Sequence, residues 1–214
     1  MAIRFRLELM AQFIIVRHGN TFATNQRPSR IGARTDLPLT KAGKEQARNL
    51  GAYFAARGWQ FAQVLTSPLL RTKQTAQAIL LAQSSKIAAR YADFLLEIDH
   101  GPDEGKAEVD VVARLGHDAL AAWDNDAVPP KDWIINETER IAAWRTLFAQ
   151  HGGNDESILL VTSNGAARFA LQASPELLTA TKSLTSMKLT TGSFGLVRRH
   201  SNGKLELSAW GQRP

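Results

Sequence analysis

Arg17 and His18 stand side by side near the end of the stretch Phe13 to Thr21, FIIVRHGNT. A guanidinium is a permanent positive charge with a planar fork of donors, and a neutral imidazole is a nucleophile. Together they suit gripping an anion and attacking it. An isolated Arg-His pair is often just two surface residues, and other stretches give this one its meaning. Ser67 to Arg71, SPLLR, places an arginine beside a helix start. A cation in a first helical turn opposes the helix dipole by roughly a few tenths of a kcal/mol, which an anion bound at the same place would offset. Ser163-Asn164-Gly165 brings hydroxyl and amide donors after an apolar run. Glu97 sits among Phe94, Leu95, Leu96 and Ile98. Partial burial there raises a carboxyl pKa and suits it to donate a proton.

Gathered around one point, these groups would bind a phosphoryl group. The imidazole of His18 would attack phosphorus, and Glu97 would protonate the leaving oxygen. Arg17 and Arg71 would hold the equatorial oxygens, as Mg²⁺ does in other phosphoryl-transfer sites. The reading calls for no metal and no cofactor.

The elements that must position these groups can be read from the hydrophobic pattern. FIIV is a buried strand that stops at Gly19. The loop FATNQRPSRIGARTD, with Arg27, Arg30 and Arg34, is irregular. It reads either as a solvated basic loop or as a source of phosphate donors. Thr40 caps a helix that runs to about Arg57 and ends at Gly58. Phe61 to Thr66 is a second strand. Ser67 as cap and Pro68 at the first helical position start a helix to about Gln83. Ile87 to Tyr91 is a short strand.

A helix is expected from about Ala107 to Trp123, then a loop from Asp124 to Asp132. Residues 97–132 form an excursion over one end of the sheet. Asn136 to Gln150 is an amphipathic helix, Ser157 to Thr162 a buried strand, and AARFALQA a further helix. Ser193 to Arg198 and Leu205 to Ala209 form a hairpin around Ser201-Asn202-Gly203. Alternating strands and helices imply an α/β fold, with a mainly parallel sheet covered on both faces. In such sheets ligands bind beyond the carboxyl ends of the strands.

The chain of 214 residues is the length of a single domain, 1–214. Met1 to Leu9 reads as an N-terminal extension or an edge strand, with Met10 a candidate start. Cysteine is absent, which excludes disulfides and a thiol nucleophile. No apolar run approaches the ~20 residues of a membrane span, and the first residues lack a signal peptide's apolar stretch. The expected location is the cytoplasm. A net charge of +6 favours anionic partners. The basic residues are scattered, so the expected partner is a small phosphorylated metabolite or inorganic phosphate, not nucleic acid or a membrane. Oligomeric state is left open.

FIIVRHGNT, RTDLPLTKAGKEQA, VLTSPLLRTKQTA and LLEIDHGPDEG, in that order, resemble the histidine phosphatase superfamily in its phosphoglycerate-mutase-like branch. The resemblance runs from Gln12 to about Ala170. It implies a three-layer α/β/α sandwich and a metal-independent phosphomonoester hydrolase working through a phosphohistidine on His18. It makes Arg17 and Arg71 the phosphate clamp, and Glu97 first the acid and then the base. Asn20 and Asn25 become phosphate contacts. Asn20-Thr21 stands where the family often has Glu-Thr, and Asn25 is one residue out of step.

The fourth motif departs further. The family has a stretch like VSHGG, and this chain has VTSNG, so Ser163 replaces a second histidine. Ser163 and Asn164 are then neutral donors to phosphate. Losing a charge-assisted donor costs about 2–4 kcal/mol at a developing anion, so a slower enzyme is expected. His151-Gly152-Gly153 imitates the missing motif but follows a helix; His100 is the better replacement, and His117 and His200 read as surface residues. The same resemblance leaves two alternatives: a weakened, regulatory binder of phosphate ligands, and a phosphoglycerate-type mutase using Arg30 and Arg34 for a second phosphate.

Overall fold

Residues 9–83, 86–151 and 156–214 are described by the computed structural model. The apolar strands seen in the sequence pair into one sheet: β1 (Leu9–Arg17), β2 (Phe61–Thr66), β3 (Arg90–Tyr91), β4 (Glu156–Thr162), β5 (Phe194–His200) and β6 (Leu205–Gln212). Their order is β3-β2-β4-β1-β5-β6. The pairs β1–β4, β2–β4 and β2–β3 are parallel, and β1–β5 and β5–β6 are antiparallel. The reading of Met1 to Leu9 as an extension falls, apart from Leu9 in β1, outside the described residues.

Side chains alternate between the faces of a strand, and this splits the core in two. Ile14, Val16, Val64, Leu159 and Val161 face one side. There they pack on Leu50 and Phe54 of α1 (Lys41–Ala56) and on Ala76 and Ile79 of α2 (Leu70–Ala82). Phe13, Ile15, Ile158 and Leu160 face the other side. They meet Trp144, Leu147 and Phe148, which lie on the α-helix Glu137–Gln150, together with Phe169 and Leu177. The sheet is therefore the middle layer of the expected α/β sandwich. Among the described residues no helix is long and apolar enough to cross a membrane.

Local chemistry sets most boundaries. Thr40 Oγ1 accepts from the Gly43 N–H at 3.1 Å and caps α1. The start of α2 differs from expectation. Ser67 is not its cap: its hydroxyl is 2.7 Å from Thr72 Oγ1, and the capping position is Leu69. Asp36, from the preceding loop, supplies the missing acceptor and takes the Leu70 N–H at 2.6 Å.

The expected helix from Ala107 to Trp123 is two helices, α3 (Glu108–Leu115) and α4 (His117–Asp126). Gly116, at φ 80°, breaks the run in a conformation that side-chain-bearing residues resist. The helix Glu137–Gln150 is α5, with Asn136 Oδ1 accepting from the Glu139 N–H at 3.2 Å. AARFALQA is shorter than a helix of that length: α6 (Asn164–Ala167) passes into a 3₁₀ stretch, Arg168–Gln172. A last helix, α7 (Pro175–Ala180), begins at a Ser174 cap that sequence reading passed over.

One close approach locks the end of β1 to α1. The Asn20 carbonyl accepts from the Thr40 N–H at 2.9 Å, and a Cβ on Gly43 would overlap that carbonyl oxygen. Alanine is the better helix former by about 1 kcal/mol. Gly43→Ala should nevertheless lower the urea midpoint, because the backbone contact must open to admit the methyl group. A raised midpoint would mean that the contact carries no weight.

Candidate active site

β1 delivers Arg17 and His18 to the carboxyl edge of the sheet. The His18 N–H donates to the Thr162 carbonyl of β4 at 3.0 Å, and the Gly19 N–H to Thr75 Oγ1 at 3.2 Å. A Cβ on Gly19 would overlap the Gly43 carbonyl, so glycine lets the chain turn here against α1. Next to this turn lies a cavity of about 650 Å³. Arg17, His18, Asn20, Glu97, His100 and Asn164 line its inner part.

His18 is 3 % exposed. Its Nδ1 is 2.8 Å from the Gly19 carbonyl, an acceptor, so Nδ1 carries the proton and Nε2 keeps its lone pair. Burial pushes the His18 pKa well below 6.5, and the charges of Arg71 and Arg17 push it the same way, against the weaker pull of the Gly19 carbonyl. The imidazole is therefore neutral at neutral pH, the form required of a nucleophile.

Arg17 donates from Nη1 to the Leu189 carbonyl at 2.5 Å, and its buried Nε has no partner. Burial lowers its pKa to about 10, which leaves it charged at neutral pH. Asn20 is held by its N–H to Gln46 Oε1 at 2.9 Å and by Thr191, whose hydroxyl donates to Asn20 Oδ1.

Glu97 is 6 % exposed and lies in a loop after a 3₁₀ turn, Asp93–Leu95. Its pKa corrects the sequence reading. Burial raises it, as expected from the apolar run, but His100, the Ile98 N–H, Arg71 and the Gly165 N–H act against burial and prevail. Glu97 Oε1 accepts from the Ile98 N–H at 2.9 Å and the Ala166 N–H at 3.2 Å, and Oε2 from the Gly165 N–H at 3.2 Å. Glu97 is therefore a carboxylate here, not an acid.

Other residues fall where the sequence did not put them. Arg71 is fully buried, and its guanidinium donates to the Thr35 carbonyl at 2.5 Å and the Gly32 carbonyl at 3.0 Å. It ties down the loop that walls the cavity and contributes charge from behind it, without lining it. Ser163 is 0 % exposed, and its hydroxyl has no partner and does not line the cavity. The turn into α6 leaves it inside the fold. Asn164 does line the cavity, with Oδ1 accepting from the Leu189 N–H at 2.9 Å. Asn25 is exposed on the polar loop and is not in the wall, since the loop places Phe22, Ala23, Thr24 and Gln26 there instead. His151 meets Glu156 at 3.4 Å, His117 is exposed at the start of α4, and His200 meets Glu206 at 2.7 Å; none of them lines the cavity.

The cavity wall also holds Arg30, one of the two arginines offered for a second phosphate, and Lys188, which sequence reading missed. Arg30 pairs with Glu108 and lies over the Trp133 ring at 5.2 Å, and Lys188 pairs with Asp124 at 3.2 Å. Sequence reading also missed the loop before β5, whose Leu189 carbonyl and Thr191 hydroxyl hold Arg17 and Asn20. Its run Thr190-Thr191-Gly192-Ser193 was the available signal, since polar turn residues just before a strand at a sheet end mark a site-lining loop.

Comparison with known proteins agrees with this geometry. The profile of the histidine phosphatase superfamily, branch 1, matches residues 13–211, and the chain belongs to that family. A 2,3-bisphosphoglycerate-dependent phosphoglycerate mutase of Azorhizobium caulinodans is 30 % identical over 165 residues, 69 % of this chain and 79 % of that one. Uncharacterized phosphatase PhoE of Bacillus subtilis is 27 % identical over 162 residues, 76 % of each chain. Mycobacterial glucosyl-3-phosphoglycerate phosphatase has the same fold, with TM-score 0.75 at 20 % identity, covering 95 % of this chain and 99 % of that one. The alpha-ribazole phosphatase of Shigella flexneri does too, with TM-score 0.67 at 22 % identity over 94 % and 96 %. The relatives of this member of the histidine phosphatase superfamily thus include a mutase and a phosphatase.

Glu97 depends on the backbone of Gly165, where a Cβ would overlap Oε1. Gly165→Ala should therefore push the carboxylate off the N-terminus of α6. Removing donors to the charged form raises a carboxyl pKa. The Glu97 pKa, followed by carboxyl-carbon NMR, should rise in the variant. An unchanged pKa would mean that these N–H groups do not set it.

Proposed function

We propose that this chain hydrolyses a small phosphomonoester through a phosphohistidine on His18. The observation that carries the reading is the His18 ring itself. It is neutral, its Nδ1–H is fixed to the Gly19 carbonyl, and it shares a cavity with a cation and a carboxylate. In the first half, the Nε2 lone pair forms the N–P bond as the ester P–O bond breaks. Glu97 passes a proton to the leaving oxygen. That proton arrives with the ester, as the monoanion, because phosphate next to the carboxylate favours its protonated form. In the second half, Glu97 takes a proton from water. The hydroxide attacks phosphorus, the N–P electrons return to Nε2, and phosphate leaves with the proton. Arg17 and the charge of Arg71 offset the negative charge throughout.

The mutase alternative needs a second anion site. Arg34 is bonded to Asp99 at 3.1 Å and to the Gly101 carbonyl at 2.6 Å and does not line the cavity. Arg30 is paired with Glu108. With both arginines committed, hydrolysis is the better-supported reaction. Mycobacterial glucosyl-3-phosphoglycerate phosphatase was also solved with inorganic phosphate, which supports a phosphate-sized inner site in this fold.

Phosphate release from a panel of sugar phosphates and phosphoglycerate-type acids, in EDTA, tests the reading. The parent chain should release phosphate and His18→Ala should release none. If neither releases phosphate while phosphate still raises the melting temperature, the chain is a binder.

The pH dependence supplies a second check. The lowered His18 pKa keeps the nucleophile neutral above that value, so kcat/KM should not fall as pH drops through 6.5. It should fall on the alkaline side, as the ester loses its second proton near about 6. A bell centred above neutrality would contradict the assignment of the proton.

A further inference from the structure

We infer that His100 is a second catalytic imidazole of this site, donating its Nε2–H to a phosphoryl oxygen as charge develops there. The inference rests on the phosphatase reading above. His100 lines the cavity with His18 and Glu97 and is 5 % exposed. Its Nδ1 is buried with no partner, on the side where a Cβ on Gly32 would come within 2.7 Å. Nδ1 is without a partner in either form, so no hydrogen bond fixes a proton there. A phosphoryl oxygen only accepts, and it draws the hydrogen of the neutral ring to Nε2. Since Nδ1 is sealed from the cavity, Nε2 is the nitrogen left to face it. Burial also lowers the pKa of this ring, to about 4, so this neutral donor persists at neutral pH.

The ring is fixed before any ligand arrives. Trp133 stands edge-on at 4.5 Å between ring centres. The His100 carbonyl accepts from the Asp103 N–H at 3.0 Å, and the Gly101 N–H donates to Asp99 Oδ1 at 2.8 Å. Arg34 holds both Asp99 and the Gly101 carbonyl. A donor held in place needs no reorganisation when charge builds on phosphorus-bound oxygen, and so favours the transition state over the bound ester. Ser163, buried outside the cavity wall, offers no such donor.

The test compares the parent with His100→Leu and His100→Gln. It reads kcat and KM for the best ester, and inhibition by vanadate and by inorganic phosphate. Vanadate takes up the five-coordinate geometry of phosphoryl transfer, and phosphate reports the ground state. His100→Leu should lower kcat by about 10²-fold and weaken vanadate in step, with KM and phosphate affinity nearly unchanged. His100→Gln keeps an N–H donor and should recover most of both losses.

Melting temperatures check that each variant is folded. His100→Asn, which draws the donor back from the cavity, carries the same expectation as the leucine variant should that one fail to fold. An active parent matched by His100→Leu in kcat and in vanadate affinity would overturn the inference alone. Equal weakening of vanadate and phosphate would also overturn it, since it would make His100 a binding group only. A parent that hydrolyses no ester would overturn the phosphatase reading and this inference with it.

Discussion

One carboxylate, Glu97, faces the charge of four guanidinium groups held inside the fold. Arg17, Arg71, Arg140 and Arg168 each have their pKa lowered by burial and raised by Glu97. Buried cations need partners, and here most are main-chain carbonyls. Arg17 takes Leu189, Arg71 takes Gly32 and Thr35, Arg140 takes Phe94 and Leu96, and Arg168 takes Trp123. Carbonyls satisfy the donors without cancelling the charge. Asp124, which pairs with Arg168 at 3.5 Å, adds to the pull of Glu97 on Arg17 and Arg168, as Asp36 and Glu104 do on Arg71, and a phosphoryl group entering meets a field that was assembled during folding.

The same bonds explain how irregular segments hold a site. The loop 32–35, the stretch 94–97 and the loop at Leu189 lack extended secondary structure, and each is tied to the centre by an arginine. The regular elements contribute ends. β1 brings His18, β4 brings the turn at Ser163, and α6 offers two N–H groups to Glu97. His100, Arg71 and backbone N–H groups keep Glu97 ionised despite its apolar neighbours, which suits a group that must begin by taking up the proton of the ester.

Much of this was legible in the sequence because it follows from periodicity. FIIV and SILLV read as strands buried on both faces, and Thr40 and Asn136 read as caps because their side chains reach a nearby N–H. Arg17, His18 and Glu97 were found from residue type at strand ends and in apolar runs. What failed depended on distant partners. The cap of α2 comes from Asp36, 34 residues before Leu70. The Glu97 pKa is lowered by His100 and the Ile98 N–H nearby and also by Arg71 and the Gly165 N–H, and the last two lie outside any local pattern around residue 97. Asn25 and Ser163 were placed in the site by motif alignment, and the backbone turns each of them away. Arg71 was expected at the phosphate and is spent on carbonyls.

Trapping the covalent intermediate tests the central claim most directly. p-Nitrophenolate leaves without a proton, so Glu97→Gln should spare the first step for a labelled p-nitrophenyl ester while slowing attack by water. Quenching that variant in alkali, where phosphohistidine survives, should show phosphoryl label on the peptide carrying His18. Label on another residue, or steady phosphate release with no labelled protein at any time, would contradict the account.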